Sequence, residues 1–276
     1  MRLGSGWLWG SGVLNGGAPS PDLPRRGLSQ EMLAAIREIK GRYYDTEAGR
    51  VDYRAIATSP EYRAYKGLAA RLRHFDLTQL RDGKEKLAFW INLYNTIVVD
   101  GVIALGITAS VQEVPGFFRR VAYDIGGRRF SPDDIEHGIL RANRRPPYRP
   151  FRPFGPLDGR RAFALRPLDP RIHFALVCGS RSCAPIRFYS REHVDEELEL
   201  AATAFVNGPE VDVQVDRRRV RLSRIFEWYE ADFGGRAGVL DFIRRHLLDT
   251  EKREFLEARG KSLEVEYTAY DWGLNG

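Results

Sequence analysis

Between His173 and Cys183 the chain gathers an imidazole and both of its cysteines, in the run His173-Phe174-Ala175-Leu176-Val177-Cys178-Gly179-Ser180-Arg181-Ser182-Cys183-Ala184-Pro185. The apolar stretch predicts a short buried strand from 173 to 178 that hands its last residues to a Gly/Ser-rich turn. Such turns fix a reactive atom in place while leaving it exposed. Thiolates are nucleophiles and are favoured by nearby cations; Arg181 and Arg187 lie on either side of Cys183. An imidazole in reach would complete a nucleophile–base pair. Free cysteine is equally at home in a core, as a small inert hydrophobe, and spacing leaves both readings open. Two further options are a bond between Cys178 and Cys183, and a zinc site that adds His137 and His173 to the two sulfurs as a four-donor set.

Two other clusters could share that chemistry. Asn92 and Asn95, three apart, fall on the same side of an apolar helix. A buried amide needs partners, so either they brace neighbouring backbone or one of them orients a catalytic imidazole or donates to an oxyanion. Glu136, His137 and Arg141 occupy a second helix, where His137 and Arg141 at i,i+4 share a face. They point together into a pocket or lie on a solvated surface. His74, His193 and His246 sit among polar residues and are given no role.

The positioning elements follow from periodicity. Met32, Leu33, Ile36, Ile39 and Tyr43 predict a helix begun near Ser29, and Tyr62 to Leu72 a second one. From Leu87 onward, the segment Lys84–Leu105 is apolar almost all round, which marks a buried helix, and Gly106 ends it. Tyr123–Phe130 predicts a hairpin around Gly126-Gly127, followed by a helix from Ser131-Pro132 to about Ala142. The Pro/Arg/Phe-rich stretch 144–156 is expected to be an ordered loop anchored by Tyr148, Phe151 and Phe154. Ser190 predicts a helix to about Val206. Then come a hairpin (211–215 with 220–222), helices near 225–232 and 239–247, and a final strand over 262–268. The expected architecture is mixed α/β (α+β): residues 28–276 form one domain, with a small, mostly antiparallel sheet, a buried central helix and surrounding helices. Residues 1–27, rich in Gly, Pro and Ser, read as a flexible arm.

Composition narrows the function. The 276 residues are 43% hydrophobic and 29% charged, and the net charge of +6 comes from 43 Lys and Arg against 37 Asp and Glu. Basic residues are interleaved with acids throughout, a mixed solvated surface and not a nucleic-acid patch. No apolar run in the sequence approaches the ~20 residues of a membrane span. The N-terminus has too many glycines for a signal peptide, so the expectation is a cytoplasmic protein, with export left open. Two cysteines exclude a disulfide-rich framework. Oligomeric state is not readable.

Four blocks resemble a known family: Phe89-Trp90-Ile91-Asn92-Leu93-Tyr94-Asn95; Ile135-Glu136-His137-Gly138-Ile139-Leu140-Arg141; Arg171 to Gly179 with Ser182-Cys183-Ala184-Pro185; and Tyr270-Asp271-Trp272-Gly273-Leu274-Asn275. In this order they are similar to the domain-of-unknown-function 547 (DUF547) family, over about residues 45 to 275. The resemblance implies one domain, and it puts Asn92, Asn95, Glu136, His137, Arg141, His173, Cys178 and Cys183 on family motif positions. It implies no reaction. The chain departs from the family at Ala184, where Cys-Pro is common, which leaves the turn after Cys183 open. Plant members carry a coiled coil ahead of the domain, and no heptads precede it here. A looser likeness is to transglutaminase and papain-type peptidases, whose nucleophilic cysteine starts the buried helix; here that region offers Asn92.

The leading expectation is a thiol-dependent hydrolase or transferase acting on a small polar or peptide-like substrate, without a cofactor. Cys183 would be the nucleophile, His173 or His137 its base, and Glu136 or Asn92 the group orienting that base. Arg141, Asn95 and Arg181 would bind substrate, Arg141 through a carboxylate or phosphate. The alternatives are a non-enzymatic binding or regulatory domain, and the zinc site of His137, His173, Cys178 and Cys183.

Overall fold

The structure, a computed structural model, describes residues 12–18, 27–45 and 47–276. Helix α1 (Leu28–Tyr43) buries Met32, Ile36 and Ile39, the residues whose spacing predicted it. A short ribbon of β1 (Tyr44–Asp45) and β2 (Arg50–Val51) leads to α2 (Tyr53–Thr58) and α3 (Pro60–Arg71). Asp52 and Ser59 cap these two helices through side chains that accept from Ala55 N and Tyr62 N, as short polar side chains at N-caps do.

Helix α4 (Gly83–Leu105) is the axis of the fold. Asp82 caps it, and Gly106, at φ 63°, stops it in the left-handed region. An 18-residue stretch of this 23-residue helix has a mean hydropathy of 1.5, so by length and composition it could cross a bilayer, which the run-by-run reading of the sequence did not anticipate. Within the fold 72% of its apolar window is buried, and Trp90, Ile91, Leu93, Ile97 and Val98 form the middle of the larger hydrophobic core. Gly101 lets α4 approach its neighbours closely, since a Cβ there would stand 2.8 Å from Val121 Cγ1.

After α5 (Phe117–Arg120), the predicted hairpin is β3 (Tyr123–Ile125) with β4 (Arg128–Phe130), in register Tyr123↔Phe130. The helix expected from Ser131 to Ala142 is instead a π-helix over Asp134–Leu140, closed by Arg141 N donating to Glu136 O at 2.7 Å. Single π turns of this kind are frequent at functional sites. In the 144–156 loop only Phe154 is a true anchor: it is buried under Gly138, whereas Phe151 is 73% and Tyr148 61% exposed.

The C-terminal part holds α6 (Val194–Val206), β5 (Val211–Gln214), β6 (Arg219–Ser223), α7 (Arg224–Trp228), α8 (Arg236–His246), α9 (Thr250–Arg259) and β7 (Glu264–Thr268). β5 pairs antiparallel with β6, and β7 pairs parallel to β6. The strands are therefore mostly antiparallel, as expected, but among the described residues they split into three small sheets. A second hydrophobic cluster, rich in Phe174, Phe205, Phe226 and Phe242, fills this part.

The strand expected at 173–178 does not form. Residues Pro170–Phe174 make a 3₁₀ turn, and the chain beyond is irregular because α4 side chains stand where a partner strand would. Asn95 Nδ2 donates to Ala175 O at 2.9 Å, and its Oδ1 accepts from Val177 N at 2.8 Å. Asn92 holds Tyr189 in the same two-point way, at 2.7 and 2.8 Å. Within residues 12–18, Leu14 and Asn15 are buried, and Asn15 Nδ2 donates to Ala69 O and Asp124 O, while residues 16–18 are exposed. The rest of the segment read as a flexible arm, residues 1–11 and 19–26, lies outside the described residues.

Candidate active site

The turn after Val177 brings the two cysteines together. Gly179 reverses the chain at φ 80°, a conformation glycine adopts without steric cost. The C-terminal block then wraps the turn: Arg181 N donates to Gly273 O, Asn275 N donates to Gly179 O, and Ser180 bridges Leu274. This wrapping delivers the Tyr270 hydroxyl, which lies 3.1 Å from Cys178 Sγ and 3.2 Å from Cys183 Sγ. Ser180 Oγ stands 3.0 Å from Cys178 Sγ and 3.5 Å from Cys183 Sγ, and Cys178 N donates to Cys183 Sγ at 3.1 Å.

These contacts split the two thiols. Burial raises both, and Cys178 rises well above an ordinary thiol. At Cys183, hydrogen bonds from Cys178, Ser180, Tyr270 and the Cys178 backbone outweigh burial and bring the pKa down to about 6. Hydrogen bonds to the charged form favour it. Arg181 contributes nothing to this; it is exposed and faces Asp271 at 3.7 Å. Burial, with both sulfurs next, keeps the Tyr270 phenol strongly protonated and therefore a donor.

Both sulfurs line a cavity of about 370 Å³ whose walls also include Glu136, His137 and His173. It opens at the seam between the two hydrophobic clusters, and much of its wall is aromatic, with Tyr94, Phe118, Trp228, Tyr229 and Trp272 among the lining residues. Neither imidazole is a hydrogen-bond partner of either sulfur among the described residues. His173 lies flat on Tyr229, with ring centroids 3.9 Å apart, and its Nε2 meets Asp232 Oδ2 at 3.0 Å. Since a carboxylate only accepts, Nε2 carries the proton and a neutral His173 keeps its lone pair on Nδ1. His137 is the opposite case, its Nδ1 accepting from Arg141 Nη1 at 3.0 Å. Burial drives both imidazoles toward the neutral form, reinforced at His137 by Arg141 and opposed at His173 by Asp232.

Glu136 accepts the Tyr229 hydroxyl at 2.5 Å. Burial raises its carboxyl to about 7, against the opposing Tyr229 hydrogen bond. Asp232 stays ionised well below the carboxylate range: burial would raise it, but hydrogen bonds from His173 and Arg141 prevail.

The structure therefore brings together five of the predicted residues, Glu136, His137, His173, Cys178 and Cys183, around one space. It takes others away. Arg141 is buried and fully engaged, donating to Asp232 at 2.5 and 3.1 Å and to Arg145 O at 3.0 Å, so it is no substrate clamp. The amides of Asn92 and Asn95 are occupied by backbone, and neither lines the cavity; Arg181 faces a separate surface hollow. Among the described residues no three His, Cys, Asp or Glu side chains group as metal ligands. The imidazoles of the zinc set are turned to Arg141 and Asp232, which corrects that alternative. Both cysteines are free thiols. His246, read as surrounded by polar groups, is buried and stacked on Phe242.

Sequence reasoning passed over Asp232, Tyr229, Ser180 and Tyr270. Tyr270 and Ser180 lay inside or beside the quoted blocks, and only their chemistry went unread. Asp232 carried no local signal; it becomes necessary only once Arg141, Arg144 and His173 are known to converge on it.

No curated protein and no solved structure matches the chain. Residues 77–206 match a family model described as a protein of unknown function, DUF547. That stretch contains the first three sequence blocks; the fourth, at 270–275, lies beyond it and supplies the phenol that bridges the two thiols. Over residues 77–206, just under half of the chain, the sequence is thus similar to the DUF547 family.

Proposed function

We propose that the cavity is the active site of a thiol-dependent hydrolase or transferase. The observation that carries this reading is the sulfur of Cys183, hydrogen-bonded on several sides and facing a space that also holds an Asp-oriented imidazole. A thiolate already stabilised by fixed donors needs no base to deprotonate it. Cys183 attacks the acyl carbon of a small or peptide-like substrate whose apolar group rests on the aromatic wall. His173, held by Asp232, then takes the proton of the incoming water or second nucleophile at Nδ1, in the manner of an oriented general base. Glu136, poised near neutrality, is suited to donate a proton to the leaving group. His137 has its lone pair spent on Arg141 and is a spacer in this scheme.

The test is iodoacetamide alkylation of Cys183 followed by mass spectrometry across pH 5 to 9. The expected rate rises through about pH 6 and levels off. At pH 6.5 it should exceed that of free cysteine about tenfold, thiolate fraction gaining more than lowered nucleophilicity loses. A midpoint near that of an ordinary thiol would sink the nucleophile. Should Cys183 prove unreactive, the aromatic wall favours a second reading, a binding domain for an apolar ligand.

A further inference from the structure

Acyl transfer leaves Cys178 without a task, although its sulfur shares every side-chain neighbour of Cys183. Tyr270 Oη and Ser180 Oγ each lie within 3.5 Å of both sulfurs. The Cys178 thiol is itself a hydrogen-bond partner of the Cys183 sulfur. The Cys178 amide also donates to Cys183 Sγ at 3.1 Å, so the second sulfur is pressed against the backbone of the first. Gly179 in its left-handed turn, together with Cys183 N donating to Ser180 O at 3.2 Å, closes the five-residue step between them. Both cysteines are half-buried residues that line a cavity roomy enough for a small oxidant.

From this geometry we infer that Cys183 and Cys178 are a peroxide-sensitive pair, in which a hydroperoxide oxidises Cys183 and Cys178 resolves it as an intramolecular disulfide. The steps balance with hydrogen peroxide as the oxidant. The Cys183 thiolate attacks one peroxide oxygen; an S–O bond forms, the O–O bond breaks, and hydroxide leaves, so the sulfur loses two electrons and the peroxide gains them. The Cys178 sulfur then attacks Cys183; an S–S bond forms, the S–O bond breaks, and the departing hydroxide leaves as water with the Cys178 proton. Tyr270 and Ser180, each against both sulfurs, are in place to relay that proton from Cys178 to the leaving oxygen. A low-pKa thiol beside a resolving thiol is the usual makeup of reversible cysteine oxidation, and the divergence of these two fits those roles. The disulfide would remove the nucleophile from the cavity, and a small dithiol would restore it.

Arg181 lies between the two cysteines, which makes the test direct. Wild-type protein is treated with equimolar hydrogen peroxide, blocked with iodoacetamide, denatured and digested with trypsin. Cleavage after Arg171, Arg181 and Arg187 gives peptides 172–181 and 182–187. The expected product is one linked pair of these peptides, lighter by two hydrogens than their sum and split by dithiothreitol. In Cys178→Ala the pair is lost and dimedone labels Cys183; in Cys183→Ala, Cys178 stays unlabelled. Separate peptides after peroxide, with Cys183 carried on to sulfinic acid, overturn the inference, as does a disulfide found only between molecules. The wild-type result stands without the variants, should either fold poorly. It is also independent of acyl transfer: alkylation near pH 6 without a linked pair leaves the nucleophile and removes the switch.

Discussion

Two polar clusters are buried against helix α4, and they are built to opposite ends. Around Asp100, which is 1% exposed, every neighbour is a donor: Tyr62 Oη, Lys66 Nζ at 2.7 Å and Tyr123 Oη at 2.7 Å. Tyr123 meets Tyr65 at 3.0 Å, and Lys66 also donates to Leu14 O, so the cluster pins the N-terminal segment to the core. The space beside it is about 20 Å³. Around Cys183 and His173 the groups make conflicting demands: a carboxyl driven up, a thiol driven down, two imidazoles kept neutral, all about a cavity of about 370 Å³. A satisfied cluster without space is a brace. Titratable groups pushed in opposite directions beside open volume mark a place where chemistry can run. Burial of polar groups does not separate the two cases; volume and mismatched protonation do.

The largest effects come from removing the aspartate at the centre of each cluster. Asp100→Ala leaves Lys66 and two phenols, Tyr62 and Tyr123, without their shared carboxylate, and Asp232→Ala does the same to Arg141 and His173. Breaking a buried pair by deleting one partner costs about 3–5 kcal/mol, and urea denaturation should show a loss of that size in both. The isosteric Asp232→Asn separates the clusters. With hydrolysis of an activated aryl ester as the readout, Asp232→Asn should lose on the order of 10²-fold or more, the usual worth of a general base, while Asp100→Asn matches wild type per folded molecule. Equal loss in both would erase the distinction drawn between them.

Next in size is Glu136. Its folded pKa of about 7 stands above the ordinary 4.5 because it is buried, so the folded state holds the proton longer than the unfolded chain. Stability from this group is complete below about pH 4.5 and is lost as pH rises through 7. Ionisation in the fold then costs up to about 3 kcal/mol by linkage. Glu136→Gln keeps an acceptor for Tyr229 and removes the titration. It should match wild type at pH 4.5 and exceed it at pH 8, read from urea midpoints. Asp232 works in the opposite sense: depressed in the fold, it contributes above the ordinary carboxylate range and loses that contribution as pH falls.

Legibility in the sequence follows the same division. Elements whose signal is local were readable: the all-round apolar α4, the Gly126-Gly127 hairpin, the spacing of Met32, Ile36 and Ile39. The chemical residue types of the cavity were readable too, because His173, Cys178 and Cys183 are crowded together. What could not be read depends on long-range pairing. Arg141 looks like a free anion binder until Asp232, ninety-one positions on, is seen beneath it. The strand at 173–178 fails because a helix supplies its hydrogen bonds through Asn95. The π turn at Asp134–Leu140 has apolar spacing that an α-helix would share.

The smallest expected effect concerns those asparagines, and it tests whether the brace and the site are as separate as drawn. Asn92→Ala frees Tyr189 N and O, and Asn95→Ala frees Val177 N and Ala175 O. Each leaves buried backbone groups unpaired at about 1–3 kcal/mol, so the two variants should be alike in urea. They should differ at the thiol. Val177 immediately precedes Cys178, whose amide donates to the Cys183 sulfur, whereas Tyr189 lies six residues past it. Loosening Val177 therefore weakens a donor that holds the thiolate, and the alkylation midpoint of Cys183 should move upward in Asn95→Ala while remaining in place in Asn92→Ala. If both variants leave it in place, the amide of Cys178 is not what lowers Cys183, and Tyr270 with Ser180 must hold the charge without it.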